Sequence, residues 1–445
     1  MPEMSDVVIV GGSLSGCTAA ILLARQGLRV TVLEQHRDPG HYKRACTHYM
    51  QPGAAVVFDR LGLVPRLEAA GAVPNSTDLW TRYGWIRPPD GGPHGYNIRR
   101  SVLDPIIREA AAETPGVELR LGVKATGLIR EDGRVQGVCG TDHTGEEQQL
   151  SCHVVVGADG RHSPVASWAG VPVKEKKHGR FMYFASFEDL VLTRGSRSLI
   201  WLTDPDAAYV FPNDNGITVL AVMLTADKLA DFRQDIDGNV RRFFAHLPDA
   251  PDLGRARRVS DYVGVPHYPD LSRRAGTPGL ALVGDAALTT DYLWGVGCGW
   301  ALESAAWLAD EIGPVLTQPT PETTDVDRAL QRYARRHHHA LAAHHFFIAD
   351  LAGGRVLNPL ERLMFAAAVH DEQLASSLAR YGGRLITPWQ FLSPPRSLAA
   401  CASRWAPPER HEPASVPLGR DTRSLGIPAY ASVRMRSTSG RRSGR

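Results

Sequence analysis

Residues 6–10 (DVVIV) form an uninterrupted apolar run that leads directly into Gly11-Gly12-Ser13-Leu14-Ser15-Gly16. An apolar stretch with helical spacing follows (CTAAILLARQG), then a β-branched run over residues 30–33 that ends on Glu34. Strand, glycine turn, helix, strand and terminal acid in this order predict a βαβ unit. Gly11 permits the tight turn, and Gly16 lets the helix pack close to the sheet. The helix N-terminus presents unpaired N–H groups and the positive end of its dipole to a pyrophosphate. Glu34 stands 18 positions after Gly16, where an acid accepts hydrogen bonds from a ribose 2′-hydroxyl and repels a 2′-phosphate. The unit therefore reads as a site for FAD or NAD rather than NADP. Ser13 stands in place of the usual middle glycine, small enough for close backbone approach and with a hydroxyl to add.

At 445 residues the chain exceeds one compact core, so two or three domains are expected. The net charge of +3 conceals an asymmetry. From residue 420 to 445 seven arginines face one acid, Asp421, which leaves the rest mildly acidic. An acidic body argues against nucleic-acid binding. The polar opening (MPEMSD) lacks the basic n-region of a secretory signal. No apolar run reaches the ~18 residues of a bilayer span. The six cysteines (Cys17, Cys46, Cys139, Cys152, Cys298, Cys401) are scattered without a CxxC pair, as reduced thiols are in a cytoplasmic protein. Oligomeric state is left open.

Two further turns bear on nucleotide binding. Residues 154–156 are a buried strand that ends in Gly157-Ala158-Asp159-Gly160, and residues 280–283 are another that ends in Gly284-Asp285-Ala286-Ala287. An acid at the carboxyl end of a parallel strand is placed to accept from sugar or ribityl hydroxyls. Either turn alone is commonplace; the order of the three is specific. With these motifs over residues 6–312, about 70% of its length, the chain resembles the FAD-dependent monooxygenases of the para-hydroxybenzoate hydroxylase type. Their superfamily also holds epoxidases, geranylgeranyl-type reductases and flavin halogenases. The resemblance implies that Asp285 contacts the ribityl chain of FAD. It also implies that Asp159-Gly160 lies near the pyrophosphate and helps to handle FAD and the nicotinamide donor.

After Asp285, Gly295-Val296-Gly297-Cys298-Gly299 carries glycine at alternate positions and opens a long apolar helix. Bare backbone lets a flat ring lie against it, and the helix N-terminus favours the negative charge of reduced flavin. This segment departs from the family, which carries His after Gly-Asp-Ala-Ala and Pro before the glycines. Here Leu288 and Asp291-Tyr292 hold those places. Upstream, the family's Arg that touches FAD maps to Arg100, with Arg99 as its competitor, and a basic residue near the isoalloxazine maps to Arg44. His48, Gln51 and Tyr292 are candidates for the catalytic neighbourhood of the flavin, or else ordinary polar groups. Cys46 and Cys298 lie in loops that approach the flavin, where simple packing is the preferred reading.

The resulting fold class is α/β (α+β overall). A Rossmann-like, discontinuous FAD-binding domain (5–170 and 255–315) carries an inserted antiparallel β-sheet substrate domain (171–254). A C-terminal helical region (326–406) and a basic tail (407–445) that is expected to be disordered complete the chain. Alternating runs in the sheet bring Met182, Phe184, Trp201, Tyr209 and Phe211 forward as a pocket wall, with one face of each strand reserved for the core. His337, His338, His339, His344 and His345 lack HExxH spacing, so no metal is expected. The expected activity is that of a monooxygenase that uses NAD(P)H as a transient donor and O2 to hydroxylate or epoxidise a hydrophobic, aromatic or polyketide-like substrate. A reductase of the geranylgeranyl type and a non-catalytic flavin-binding protein are the alternatives. Halogenation is disfavoured, because Trp80 and Trp85 do not form WxWxIP.

Overall fold

A computed structural model describes residues 4–392. Strand β1 (Met4–Val10), helix α1 (Leu14–Ala24) and strand β2 (Val30–Glu34) form the predicted unit. Helix α2 (Arg100–Glu113), β3 (Val117–Leu121), β4 (Glu147–Gly157) and β5 (Leu280–Leu282) extend it. The parallel strands run in the spatial order β5-β4-β1-β2-β3. Both faces of the sheet's centre are covered, which is why β1, β2, β5 and the last residues of β4 are apolar almost without alternation, whereas the edge strand β3 (VELRL) alternates. Helix α3 (Gly297–Leu316) buries Leu302, Ala305, Leu308, Ala309 and Ile312 in the same core as α1, every residue of which is buried.

A second, mainly antiparallel sheet is built from Arg180–Glu188, Thr218–Thr225, Ala207–Pro212 and Ser198–Leu202. Thr77–Thr81 pairs in parallel with Ser198–Leu202 and carries Gly84–Ile86 beside it, and Arg257–Arg258 and Val263–Val265 add to the other edge. The sheet thus reaches outside the expected span of 171–254. Arg99 ties the two sheets together, since its guanidinium donates to the buried Asp214 at 2.6 and 2.8 Å.

One face of this sheet packs Phe181, Tyr183, Phe187, Trp201 and Val210 against the helix Ile236–Ala245. The other turns Met182, Phe184, Ile200, Tyr209 and Phe211 toward the glycine loop and the C-terminal helices. Those helices are α4 (Thr323–Ala352), α5 (Pro359–Ala368), α6 (Glu372–Gly382) and α7 (Pro388–Leu392). Asn358 caps α5 with a reciprocal Glu361 contact, which fixes where the chain re-enters a helix after Gly353–Gly354. The remainder of the helical region and the basic tail lie outside the described residues.

Candidate flavin site and its apolar cavity

The three nucleotide motifs converge at the carboxyl ends of the parallel strands. Gly11 adopts φ +109°, and a Cβ there would lie 2.4 Å from the Ala158 carbonyl oxygen. A Cβ on Gly16 would lie 1.9 Å from the Gly11 carbonyl oxygen, so the turn and the first residues of α1 interlock. The third turn closes on the first: a Cβ on Gly284 would lie 3.0 Å from Ser15 Oγ. The Gly284 N–H donates to Ser304 Oγ of α3 at 2.9 Å.

Each motif acid has a defined partner set. Glu34 is buried and accepts from the Gly12 N–H at 2.8 Å and the His36 N–H at 2.9 Å. Asp159 accepts from Ser163 Oγ at 2.6 Å and from the Val165 N–H at 2.9 Å; burial raises its pKa against the pull of Ser163. Asp285 pairs with Lys43 Nζ at 2.6 Å and accepts from the Tyr268 hydroxyl at 3.3 Å. Burial works against the Lys43 ammonium, but Asp285 and Tyr268 outweigh it and hold its pKa above the ordinary lysine value.

Arg100 is buried at the start of α2, where it pairs with Asp104 at 2.6 and 2.9 Å and donates to Ser13 Oγ at 2.9 Å. It therefore reaches the glycine turn, whereas Arg99 is spent on Asp214. Arg44 is exposed, with no side-chain hydrogen bond or ion pair among the described residues, and its neighbour Lys43 is the cation that reaches Asp285. Arg108, which no sequence motif marks, also serves this site. It is buried, donates to the Gly12 carbonyl at 3.1 Å and the His41 carbonyl at 3.0 Å, and bonds the Pro39 carbonyl as well. Its signal was position alone, four residues after Asp104 on the inward face of α2.

The loop at the start of α3 offers an open face. A Cβ on Gly297 would meet no atom of the chain within 4 Å, and one on Gly299 would meet only Gln51 Oε1 at 3.9 Å. Gly295 instead needs its bare backbone for φ +60° and for the Tyr49 ring, 2.7 Å from where a Cβ would stand. Beside this loop Cys46 Sγ and Cys298 Sγ are 3.8 Å apart, and Arg100 Nη1 lies 3.8 Å from Cys298 Sγ. The bond from Cys298 pulls the Cys46 thiol well below the ordinary cysteine range against the effect of burial, while the same bond and burial push Cys298 up.

The three candidates for the catalytic neighbourhood are engaged locally. His48 Nδ1 accepts from the Arg100 N–H at 3.1 Å. Gln51 Nε2 donates to the Trp294 and Gly382 carbonyls at 2.7 and 2.6 Å, while its Oε1 is buried without a partner. Tyr292 packs on Tyr268 with ring centroids 4.9 Å apart, and its hydroxyl is also buried without a partner. Asp291 is fully buried, caps the following turn through the Leu293 N–H at 2.7 Å, and has its pKa raised to about 6 by burial, with Arg180 opposing.

An apolar cavity of about 300 Å³ begins at Gln51, Trp294 and Val296 beside the glycine loop and runs between the edge of the second sheet and α5–α7. Its walls include Leu79, Ile86, Ile200, Met364 and Phe391. This corrects the expected pocket wall. Met182, Phe184, Tyr209 and Phe211 face the same side of the sheet but do not line the cavity: the Tyr209 hydroxyl donates to the Leu293 carbonyl at 3.0 Å, and Phe211 stacks behind the cavity residue Tyr49 at 4.8 Å. Trp201 points to the opposite face, where its Nε1 donates to the Pro248 carbonyl at 2.9 Å. The histidines of α4 divide likewise. His337 and His344 are buried, and desolvation lowers their pKa values to about 4 and about 3. His344 lines the cavity, stacked on Tyr381 at 4.7 Å. Among the described residues no group of three or more His, Cys, Asp or Glu is arranged to hold a metal ion, and no helix is long and apolar enough to cross a membrane.

A parallel sheet with three interlocked nucleotide turns, roofed by an antiparallel sheet, defines a flavoprotein of the oxidoreductase class. Residues 4–343 match the family model described as FAD binding domain, and the chain belongs to that family. The site's donors and the open backbone at Gly297, which no positive φ explains, fit such a cofactor. Among curated proteins the chain is similar to the digeranylgeranylglycerophospholipid reductase of Methanosarcina mazei, 28% identical over 311 residues, 67% of this chain and 72% of that protein. It is also similar to the 6-methylpretetramide 4-monooxygenase of Streptomyces rimosus, 32% identical over 185 residues, 38% of this chain and 41% of that protein. Among solved structures, the p-nitrophenol 4-monooxygenase PnpA of Pseudomonas putida shares the fold at a TM-score of 0.71 and 21% identity, covering 86% of this chain and 99% of that one. The flavin-dependent brominase Bmp2 does so at 0.73 and 18%, covering 86% and 94%.

Proposed function

We propose that the chain is an FAD-dependent monooxygenase that takes electrons from NAD(P)H and oxygenates a hydrophobic organic substrate. The observation that carries this reading is the apolar cavity whose inner end is the glycine loop itself, at Trp294 and Val296. In this reading the α1 N-terminus and Arg100 hold the pyrophosphate, Glu34 the adenosine ribose and Asp285 the ribityl chain. Gly297 and Gly299 leave room for the ring. When bound, reduced FAD supplies the electrons that activate O2 for transfer of one oxygen atom to the substrate. The residues of the chain position the substrate and exclude water, and the α3 N-terminus favours negative charge beside it. The purified yellow protein should consume O2 in step with NAD(P)H when an apolar substrate is added, and the product should gain one oxygen atom.

A second reading is favoured by the reductase relatives, which align over two thirds of the chain. In it the same cavity holds an apolar chain whose double bond is reduced. Anaerobic turnover with NAD(P)H to a product richer by two hydrogens would establish it and overturn the first reading.

A further inference from the structure

The cavity that runs from the glycine loop is not wholly apolar, and its polar lining divides into two kinds. Most of these groups are already paired. The Tyr49 hydroxyl bonds Thr77 Oγ1 at 2.9 Å, Asn75 Nδ2 donates to Asn97 Oδ1 at 2.7 Å, and Glu361 accepts from Arg355 at 2.7 Å. Arg380 is exposed to solvent. His344 of α4 is different. It is 4% exposed, its Nε2 is buried without a partner, and its side chain makes no hydrogen bond or ion pair among the described residues. The other buried, unpaired polar atom on a lining residue is Gln51 Oε1. The two residues meet at the last turn of α6: Gln51 Nε2 donates to the Gly382 carbonyl at 2.6 Å, and the His344 ring stacks on Tyr381. Gln51 also holds the Trp294 carbonyl, which puts this turn at the inner end of the cavity.

Packing does not account for the imidazole. A phenylalanine would stack on Tyr381 as well and leave no buried nitrogen unpaired, so the polar ring costs the fold stability that a hydrogen-bonding occupant offsets. Burial, with Arg384 acting in the same direction, lowers the His344 pKa to about 3. Arg384 is itself paired with Glu303 at 2.8 Å, so the cation that acts on His344 is committed elsewhere. The inner end therefore offers a neutral imidazole, with one donor and one acceptor, beside an amide oxygen that only accepts. A hydroxyl matches this pair, since it donates to Gln51 Oε1 while it accepts from the imidazole. A carboxylate does not, because it has no hydrogen for the amide oxygen and loses its water without gaining a counter-ion. We propose that His344 is the specificity-determining residue of the cavity, and that it selects a neutral, largely apolar ligand with a hydroxyl group at the end nearest the glycine loop. The proposal rests on the reading of this cavity as the substrate site. At about 300 Å³ the cavity takes a body of about two fused rings.

The test is calorimetric titration of the flavin-loaded full chain with three probes of one ring system: naphthol, naphthalene and naphthoate. No turnover is read, so the result stands apart from the reaction assigned above. The parent should bind naphthol at least about tenfold more tightly than either of the others. His344→Phe should abolish the preference for naphthol, leave the affinity for naphthalene unchanged, and melt at or above the temperature of the parent. His344→Gln, which keeps a donor and an acceptor, should retain part of the preference. The proposal is overturned if the parent binds naphthol and naphthalene equally, which takes the role from His344 and leaves the cavity as the substrate site. It is overturned as well if naphthoate binds most tightly, since the inner end would then hold a charge. The same holds if His344→Phe melts lower and weakens both ligands together, because the imidazole would then be part of the fold. If no probe binds, this proposal and the reading of the cavity as the substrate site fall together.

Discussion

Gly297 separates a residue kept for folding from one kept for a ligand. A Cβ at this position would meet no protein atom within 4 Å, and the residue begins α3 with no positive φ to defend. Alanine should therefore be tolerated by the apoprotein, and through the smaller entropy of its unfolded chain should stabilise it by up to about 1 kcal/mol. The same methyl would project into the space assigned to the flavin ring. Lifting a flat ring off the backbone by a methyl group forfeits most of the dispersion contact on that face. A loss of about 1.4 kcal/mol corresponds to tenfold weaker binding, and at least that is expected. Gly16→Ala supplies the contrast, since its Cβ would lie 1.9 Å from the Gly11 carbonyl oxygen. The turn must open by more than an ångström, at a cost of about 1–3 kcal/mol or more, and stability and flavin binding should fall together. Thermal unfolding of the two apoproteins and flavin titration by fluorescence quenching give both quantities. If Gly297→Ala binds flavin as tightly as the parent, the ring does not lie on this loop and the assignment of the site fails.

Asp291 gives a pH test. Its folded pKa, about 6, lies above the ordinary 3.8, so the native state holds the proton more tightly than the unfolded chain. The stability this confers is full below about pH 4 and is lost as pH rises through about 6; two pKa units correspond to about 3 kcal/mol. Urea unfolding across that window should show the decline in the parent and a flatter profile in Asp291→Asn. Ile200 and Trp201, adjacent on one strand, should respond oppositely. Ile200→Phe fills the cavity and should raise KM for an apolar substrate at similar stability, whereas Trp201→Ala should lose about 3–5 kcal/mol in denaturant unfolding and leave KM of the folded fraction unchanged. Cys46 should form its thiolate well below the ordinary range, read as ultraviolet thiolate absorbance against pH, and Cys298→Ala should return that step toward the ordinary value.

The parts of this fold legible in the sequence are those that local sequence encodes. The βαβ unit and the two later turns each carry their pattern within some thirty residues, and all appear where the sequence places them. The pocket wall was not legible in that way. Ser198–Leu202 (SLIWL) is buried along its whole length, so alternation cannot say which parity faces the cavity, and Ile200 rather than Trp201 does so. The cavity itself is made by Thr77–Ile86 meeting α5–α7, segments nearly three hundred residues apart. Lys43 and Arg108 are hidden for a related reason, since each meets its partners only once distant acids and carbonyls are in place.

The polar residues around the glycine loop bear on how such a site works. His48 and Gln51 are the polar groups that could have faced a substrate, yet His48 spends Nδ1 on the α2 N-terminus and Gln51 spends both amide hydrogens clamping the loop to α6. Asp291 and Tyr292, where the family carries other residues, cap and pack the turn that precedes the loop. What remains at the cavity's inner end is Gln51 Oε1, a buried acceptor without a partner, 3.9 Å from where a Cβ on Gly299 would stand. A buried acceptor left unpaired costs about 1–3 kcal/mol, a penalty that a donor on the bound substrate or flavin would relieve. The arrangement suits chemistry supplied by a cofactor, with the chain fixing the loop, keeping the cavity apolar and offering one oriented acceptor rather than a catalytic dyad.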